Sequence, residues 1–287
     1  MANTKSEQVG GTKTTVLTVI STGLFVLVSS IIVFPVLAGF LASFRPGQEL
    51  FRRGLSLNLD FSTMTLKNYQ YIFSGNSDSL KYLNSFKNSL FLTFVTVVAT
   101  LVVCYFIAYG ISMYEFKLRN VLFFLVIATM MVPFEILMLP LYQEIIKLNL
   151  TDTTWGVVLP GVCGASTIFF FRQYMIGLPK ELLEAGRIDG ASEYGICTKI
   201  MLPIVKPAFA SMAILTSMGS WNNLLWPMLV YRSQAKFTLP VYLNGLLNPY
   251  GNNYDILIAG SMFSIIPVLA VFLCFQSYFI EGMVAGA

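Results

Sequence analysis

Glu135 is a carboxylate set alone inside a long apolar stretch, with Pro133 and Pro140 on either side. On insertion scales a charged group there costs roughly 2.5–3.5 kcal/mol. Neighbouring Leu, Ile, Phe and Val return roughly 0.3–0.6 kcal/mol each, so the stretch still enters a bilayer. Two roles suit Glu135: a polar group in a solute path or gate, and a structural hydrogen bond to a neighbouring span, the second being preferred. The prolines remove backbone donors, and broken helices at membrane depth are tolerated where they line cavities. Farther along, Trp221, Asn222, Asn223 and Trp226 set aromatic faces beside amides. That pairing suits sugar, whose C–H face packs on a ring while its hydroxyls need donors and acceptors. Trp also marks membrane interfaces, so Asn222 is a stronger pathway candidate than either Trp.

Other chemistry lacks its residues. The sequence contains no His, which removes His proton relays, Ser-His and Cys-His nucleophile pairs and most catalytic zinc sites. Cys104, Cys163, Cys197 and Cys274 show no paired spacing, so neither a disulfide framework nor a metal site is expected. Gly10-Gly11-Thr12-Lys13-Thr14-Thr15 resembles a phosphate loop only superficially: the first Gly is missing at the required spacing, and an apolar run follows. The net charge of +4 forms no polybasic run, so no nucleic-acid footprint is expected.

The elements that must position these residues are membrane spans. Of 287 residues, 56% are hydrophobic and 11% charged, whereas soluble domains carry roughly a quarter charged residues. Charge-free runs cover 14–44, 88–114, 120–134 continuing past Glu135 to 143, 153–171, 207–231 and 256–280. Each is near or above the roughly 20 residues that cross a bilayer as a helix. The expectation is an all-α integral membrane protein with six transmembrane helices, a short tail over 1–15 and one membrane domain over 16–287. The first run is too long for a signal-peptide core and is expected to be retained. Six spans put both termini on one side, but the charge bias does not choose it, since nine Lys and Arg fall on each side.

The connection between the fourth and fifth spans, about residues 177–206, carries internal order. Pro179 suits the first turn of a helix, and Leu182, Leu183, Ala185 and Gly186 give it an apolar and small face. Gly190 interrupts. Ser192 before Glu193 offers an N-cap for a second helix running to about Ile200, closed before Pro203 and Pro207. The pattern predicts helix, Gly turn, helix. Smallness at Ala185 and Gly186 would let a partner's backbone approach closely.

Glu184-Ala185-Gly186, three residues, Gly190, nine residues, then Ile200-Met201-Leu202-Pro203 resembles the EAA signature of bacterial ABC importer permeases, with Gly186 for its second Ala. Leu178 to Leu182, Arg187 to Ser192, Trp221-Asn222, the Pro133 to Tyr142 segment and Phe279-Ile280-Glu281-Gly282-Met283 resemble the maltose-type carbohydrate importers. This likeness runs from about residue 85 onward; the terminal Lys-Gly common in that family is absent. It implies a type I importer fold in the bacterial inner membrane, with an external loop at about 45–87, a cytoplasmic EAA loop and both termini cytoplasmic. It also implies a path shared with a related permease subunit, two ABC ATPase subunits that hold ATP and Mg, and an external sugar-binding protein. No cofactor is expected on this chain.

In that family the first loop helix enters a cleft on the ATPase. The resemblance gives Glu184 a hydrogen bond across or within the loop and Ala185 and Gly186 the close docking. Gly190 makes the turn, Asp189 caps it, and Ile200, Leu202 and Pro203 anchor the second helix. The outer segment, with Arg45, Arg52, Arg53, Asn58 and Asn68, could meet the binding protein or cap the spans. An ion-coupled secondary transporter is the rival reading; it calls for several intramembrane ionisable groups and an internal repeat.

Overall fold

The computed structural model describes residues 6–47, 64–247 and 253–285; Arg52, Arg53 and Asn58 lie outside them. All regular structure among the described residues is helical. Among the described residues three helices are long and apolar enough to cross a membrane alone, and three bent pairs, each counted as one span, bring the total up to six.

The chain divides into two compact units, residues 1–72 with 247–262, and 73–246 with 263–287. In the first, α1 (Ser6–Ala42) is followed by α2 (Lys67–Phe73). Asn68 ties them, donating from Nδ2 to the carbonyls of Ser43 and Arg45 at 2.8 and 2.9 Å. The Tyr69 and Ser43 hydroxyls meet at 2.7 Å. Arg45 is buried, so it is part of this joint and not of a solvated basic rim. Helix α1 begins earlier than the expected boundary and takes in Gly10–Thr15. A helix cannot cradle phosphate as a Gly-rich loop does.

In the second unit the long helix α3 (Ser77–Met113) is central. It starts well inside the segment expected to be external loop, because Asp78 in its first turn and the ion pair Lys81–Asp78 let helix extend past the charge-free run. The third predicted span is two helices, α4 (Arg119–Met130) and α5 (Phe134–Lys147), meeting at 104°. Pro133 is the N-cap of α5 and its fixed φ turns the chain there, whereas Pro140 is accommodated inside the helix. The fourth span is α6 (Thr154–Val158) with a 3₁₀ turn to Gly161, bent by 48° against α7 (Ala165–Ile176). Thr153 caps α6 by accepting from Gly156 N–H at 3.1 Å.

Next come α8 (Glu181–Ile188) and α9 (Glu193–Ile204), then α10 (Lys206–Trp221) bent by 75° from α9. The fifth span continues, after a break at 222–224, as α11 (Leu225–Val230), followed by α12 (Leu239–Gly245) and α13 (Tyr254–Ala285). The core lies where α3, α7 and α10 meet, around Cys104, Tyr105, Ala108, Phe171, Met175 and Ala208. Phe171 and Phe209 pack at 4.7 Å between centroids. A second cluster gathers Leu92, Ile145, Val157, Trp226 and Val230. At its end of the bundle Asp152 joins two turns: Arg232 and Ser233 N–H groups and the Ser233 hydroxyl donate to its carboxylate, and Lys236 lies 3.2 Å from it.

Candidate functional site

The helix-turn-helix between α7 and α10 sits at the bundle end opposite to Asp152. Helix α8 is strongly amphipathic: Leu183 and Gly186 are buried, Glu184 and Ala185 exposed. The chain reverses at Gly190 with φ +75°, a left-handed conformation that strains any residue with a Cβ. Ser192 then caps α9, accepting from Gly195 N–H at 3.1 Å. Across the turn the Arg187 guanidinium grips Glu193 at 2.7 and 3.3 Å, and the Tyr114 hydroxyl donates to the same carboxylate at 2.6 Å. These donors, Arg187 first, hold the Glu193 carboxyl below the usual carboxylate range. Lys180 pairs with Glu115 at 2.7 Å, fixing the entry to α8 on the end of α3.

The second helix is fastened to the spans. Ile196, Cys197 and Met201 are buried, and residues 196–201 form a π-helix. That wide turn brings the Cys197 carbonyl to two donors, the Leu202 N–H and the buried Tyr105 hydroxyl of α3 at 2.7 Å. Helix α9 runs past the predicted end at Ile200 to Ile204, since the π register leaves room for Pro203, which lacks the donor an α-helix would use.

Several expected roles change. Gly186 faces inward: a Cβ there would lie 2.8 Å from Ile200 Cδ1 and 3.0 Å from Ile196 Cγ1. Its smallness therefore serves the closure of α8 on α9, not the approach of a partner. Ile200 and Leu202 do pack on the core, but Pro203 is exposed, and the deep anchors are Ile196, Met201 and Val205. Asp189 caps α8 through its backbone N–H on Ala185 O and not through its carboxylate. The Glu184 carboxylate makes no hydrogen bond among the described residues and is exposed beside Ala185. The outer surface of the hairpin is instead marked by apolar groups in solvent, Ile188 at 85% and Tyr194 at 70% exposure. Periodicity hid both, because each stands next to charged residues.

The pathway candidates separate as well. Trp221 is buried, donates its indole N–H to Ser264 O at 3.2 Å and packs edge-on against Phe86, so it is a structural bolt. Asn222 spends its amide on Met218 O at 3.0 Å at the end of α10. The Glu135 carboxylate is exposed in the first turn of α5 and forms no hydrogen bond among the described residues, so the preferred bond to a neighbouring span is not found among them. Trp226 is also structural, donating to Val157 O at 3.2 Å.

Asn223 lines a cavity of about 310 Å³ between α3, α6, α7, α10 and α11, and the Trp226 ring forms part of the same wall. Sequence reasoning missed its other polar walls: Thr96 and Thr100 from α3, Ser166 and Thr167 from α7, Thr216 and Ser220 from α10. None of these hydroxyls bonds within the chain among the described residues, and Thr100 Oγ1 is fully buried without a partner. Ser112, Thr129 and Ser211, outside the cavity, each bond a carbonyl of their own helix. The walls contain no ionisable side chain. Such a chamber offers donors and acceptors to a neutral polyhydroxyl solute and no counter-charge to an anion. In the sequence these Thr and Ser are scattered through apolar runs, where period alone gives no sign that they converge.

Residues 105–284 match the family described as binding-protein-dependent transport system inner membrane component. The chain is 51% identical over 91% of its length to the arabinooligosaccharides transport system permease protein AraQ of Halalkalibacterium halodurans, covering 93% of that protein. It is 48% identical over 91% of its length to AraQ of Bacillus subtilis, covering 92% of it. The sn-glycerol-3-phosphate transport system permease protein UgpE of Rhizobium meliloti is 31% identical, with 88% of this chain and 91% of that protein aligned. Among solved structures, a bacterial ABC transporter involved in the import of the acidic polysaccharide alginate superimposes with a TM-score of 0.75 at 26% identity, over 97% of this chain and 99% of that one.

Proposed function

We propose that this chain, which belongs to the binding-protein-dependent transport inner membrane family of ABC importer permeases, is one half of the path of an ATP-driven importer of a neutral oligosaccharide. Its hairpin, α8–Gly190–α9, is the part gripped by a separate ATPase that binds ATP and Mg. The observation that carries this is mechanical. The hairpin is rigid through Arg187–Glu193, bolted to α3 by Tyr105 on Cys197 O, and presents Ile188 and Tyr194 to solvent. A cleft that closes on ATP binding changes its contacts with such a knob, and only a contact whose free energy differs between states shifts the equilibrium. The shift then passes through α9 into α10, one wall of the hydroxyl-lined cavity.

This assignment puts the hairpin and, with six spans, both termini in the cytoplasm of a bacterial inner-membrane protein. The Asp152 end faces out, where the external sugar-binding protein delivers solute. A related permease subunit supplies the second half of the path, and two ATPase subunits complete the complex. Of the substrates named for its relatives, a neutral arabinooligosaccharide suits the cavity, whereas a phosphate or uronate would be left without a counter-charge.

A tagged chain expressed with its neighbouring subunits, purified and reconstituted with its binding protein, tests the proposal. ATP hydrolysis is expected to rise with arabinooligosaccharide and not with sn-glycerol-3-phosphate. Stimulation by the phosphate ester alone would overturn the substrate, and uptake driven by an ion gradient without ATP would overturn the class in favour of an ion-coupled carrier.

A further inference from the structure

Arg172 is a charged side chain buried without a paired counter-charge among the described residues. It lies on α7 at 9% exposure, its guanidinium carbon 3.6 Å over the ring of Phe123 on α4. Its Nε is enclosed with no hydrogen-bond partner, and so is the Nε of Arg119 at the start of α4. Neither guanidinium is in an ion pair among the described residues; exposed Glu115, four residues before Arg119, is near enough to feel its charge but pairs with Lys180. A ring face offsets part of the cost of burying Arg172, but it accepts none of the in-plane N–H donors. Buried donors of this kind call for an acceptor beyond the described residues.

A second feature adjoins them. An apolar cavity of about 350 Å³ runs between α3, α4 and α7, walled by Ile107, Ile111, Leu122, Leu125, Val126 and Ile168. Arg119 precedes Leu122 and Val126 at helical spacings of three and seven, and Arg172 follows Ile168 at four, so both arginines stand on the helix faces that form the groove. They mark its end nearest the hairpin, because Arg119 opens α4 and Arg172 lies in the last turns of α7, which leads to α8. The adjoining surface of α4 is apolar too, with Leu118 62%, Phe124 68% and Leu125 53% exposed.

We propose that the Arg119–Arg172 pair and this groove bind an anionic phospholipid, its phosphate between the guanidiniums and an acyl chain along α4 and α7. A free phosphate offers the same headgroup chemistry but leaves the groove without a reason. Paired planar guanidiniums above an apolar channel, at the end of two spanning helices, match a phosphate attached to hydrocarbon. The site requires only that α4 and α7 cross a bilayer, so its failure would leave the transport proposal standing.

The test is native mass spectrometry of the assembled transporter after exchange into phosphatidylglycerol or phosphatidylcholine nanodiscs, with ATP hydrolysis measured alongside. The wild type is expected to retain phosphatidylglycerol selectively. Arg172→Gln and Arg119→Gln should each weaken retention about fivefold, and Arg172→Lys should keep most of it. Should Arg172→Gln fail to assemble, Leu125→Trp, which fills the groove and leaves both arginines intact, is expected to expel the lipid. Equal retention of the two lipids by the wild type, or unchanged retention in Arg119→Gln and Leu125→Trp, would overturn the site. Retention of inorganic phosphate with no lipid would overturn the lipid as its source.

Discussion

At Gly190 the requirement is conformational. Its φ of +75° is left-handed, yet no atom lies within 4 Å of where a Cβ would be. The cost of substitution is therefore backbone strain and not a clash, roughly 1–2 kcal/mol for an ordinary residue and more for a β-branched one. Asn tolerates this region better, which gives an ordered series. Gly190→Val should abolish sugar uptake while membrane insertion, followed by immunoblot of the membrane fraction, stays normal; Gly190→Asn should keep a substantial share of it. Normal uptake in Gly190→Val would remove the turn from the coupling mechanism. This residue and the Ser192 cap were legible in the sequence because each follows from local backbone chemistry. Gly186 was legible as a small residue only, since what it makes room for, Ile196 and Ile200, is set by how the hairpin folds on itself. The same holds for Trp221, whose partner Ser264 comes from a distant helix.

Among elements, the joint at the opposite end of the bundle carries a pH signature. Asp152, itself at φ +57°, fixes the turn after α5 to the turn after α11 through the Ser233 hydroxyl, the Arg232 and Ser233 N–H groups and Lys236. The Ser233 hydroxyl foremost, with those N–H groups, holds its carboxyl well below the ordinary range. A depressed carboxyl contributes stability that is complete above the unfolded value, about 3.9, and is lost as pH falls through the folded one. Thermal unfolding of the purified complex should therefore be insensitive to Asp152 titration from neutral pH down to about 5, and lose this contribution below about 4. Asp152→Asn should lower stability by about 1–2 kcal/mol at pH 7 and flatten the acid limb. An unchanged acid limb in the variant would show that the joint does not depend on this charge. The six spans were legible from charge-free runs, but the 104° break between α4 and α5 was not. Pro133 announced an interruption there, and only packing against the rest of the unit sets the angle.

For the whole molecule, composition placed the chain in a membrane, and the EAA spacing marked the hairpin to which we assign the coupling role. The hydroxyl-lined cavity and the two unpaired arginines needed the helices assembled, because each draws residues from segments far apart in sequence. Under the proposed function these features act as a rigid lever joined to a solute path, with the outer surface of the hairpin meeting another polypeptide. A photoreactive phenylalanine analogue at position 188, on the most exposed apolar group of the hairpin, examines that claim in membranes containing the assembled transporter. Illumination should yield an adduct between this chain and the ATPase subunit, with a yield that changes when ATP is added. Adducts to lipid alone, or none with the ATPase in either nucleotide condition, would contradict the lever and with it the mechanism proposed for this chain.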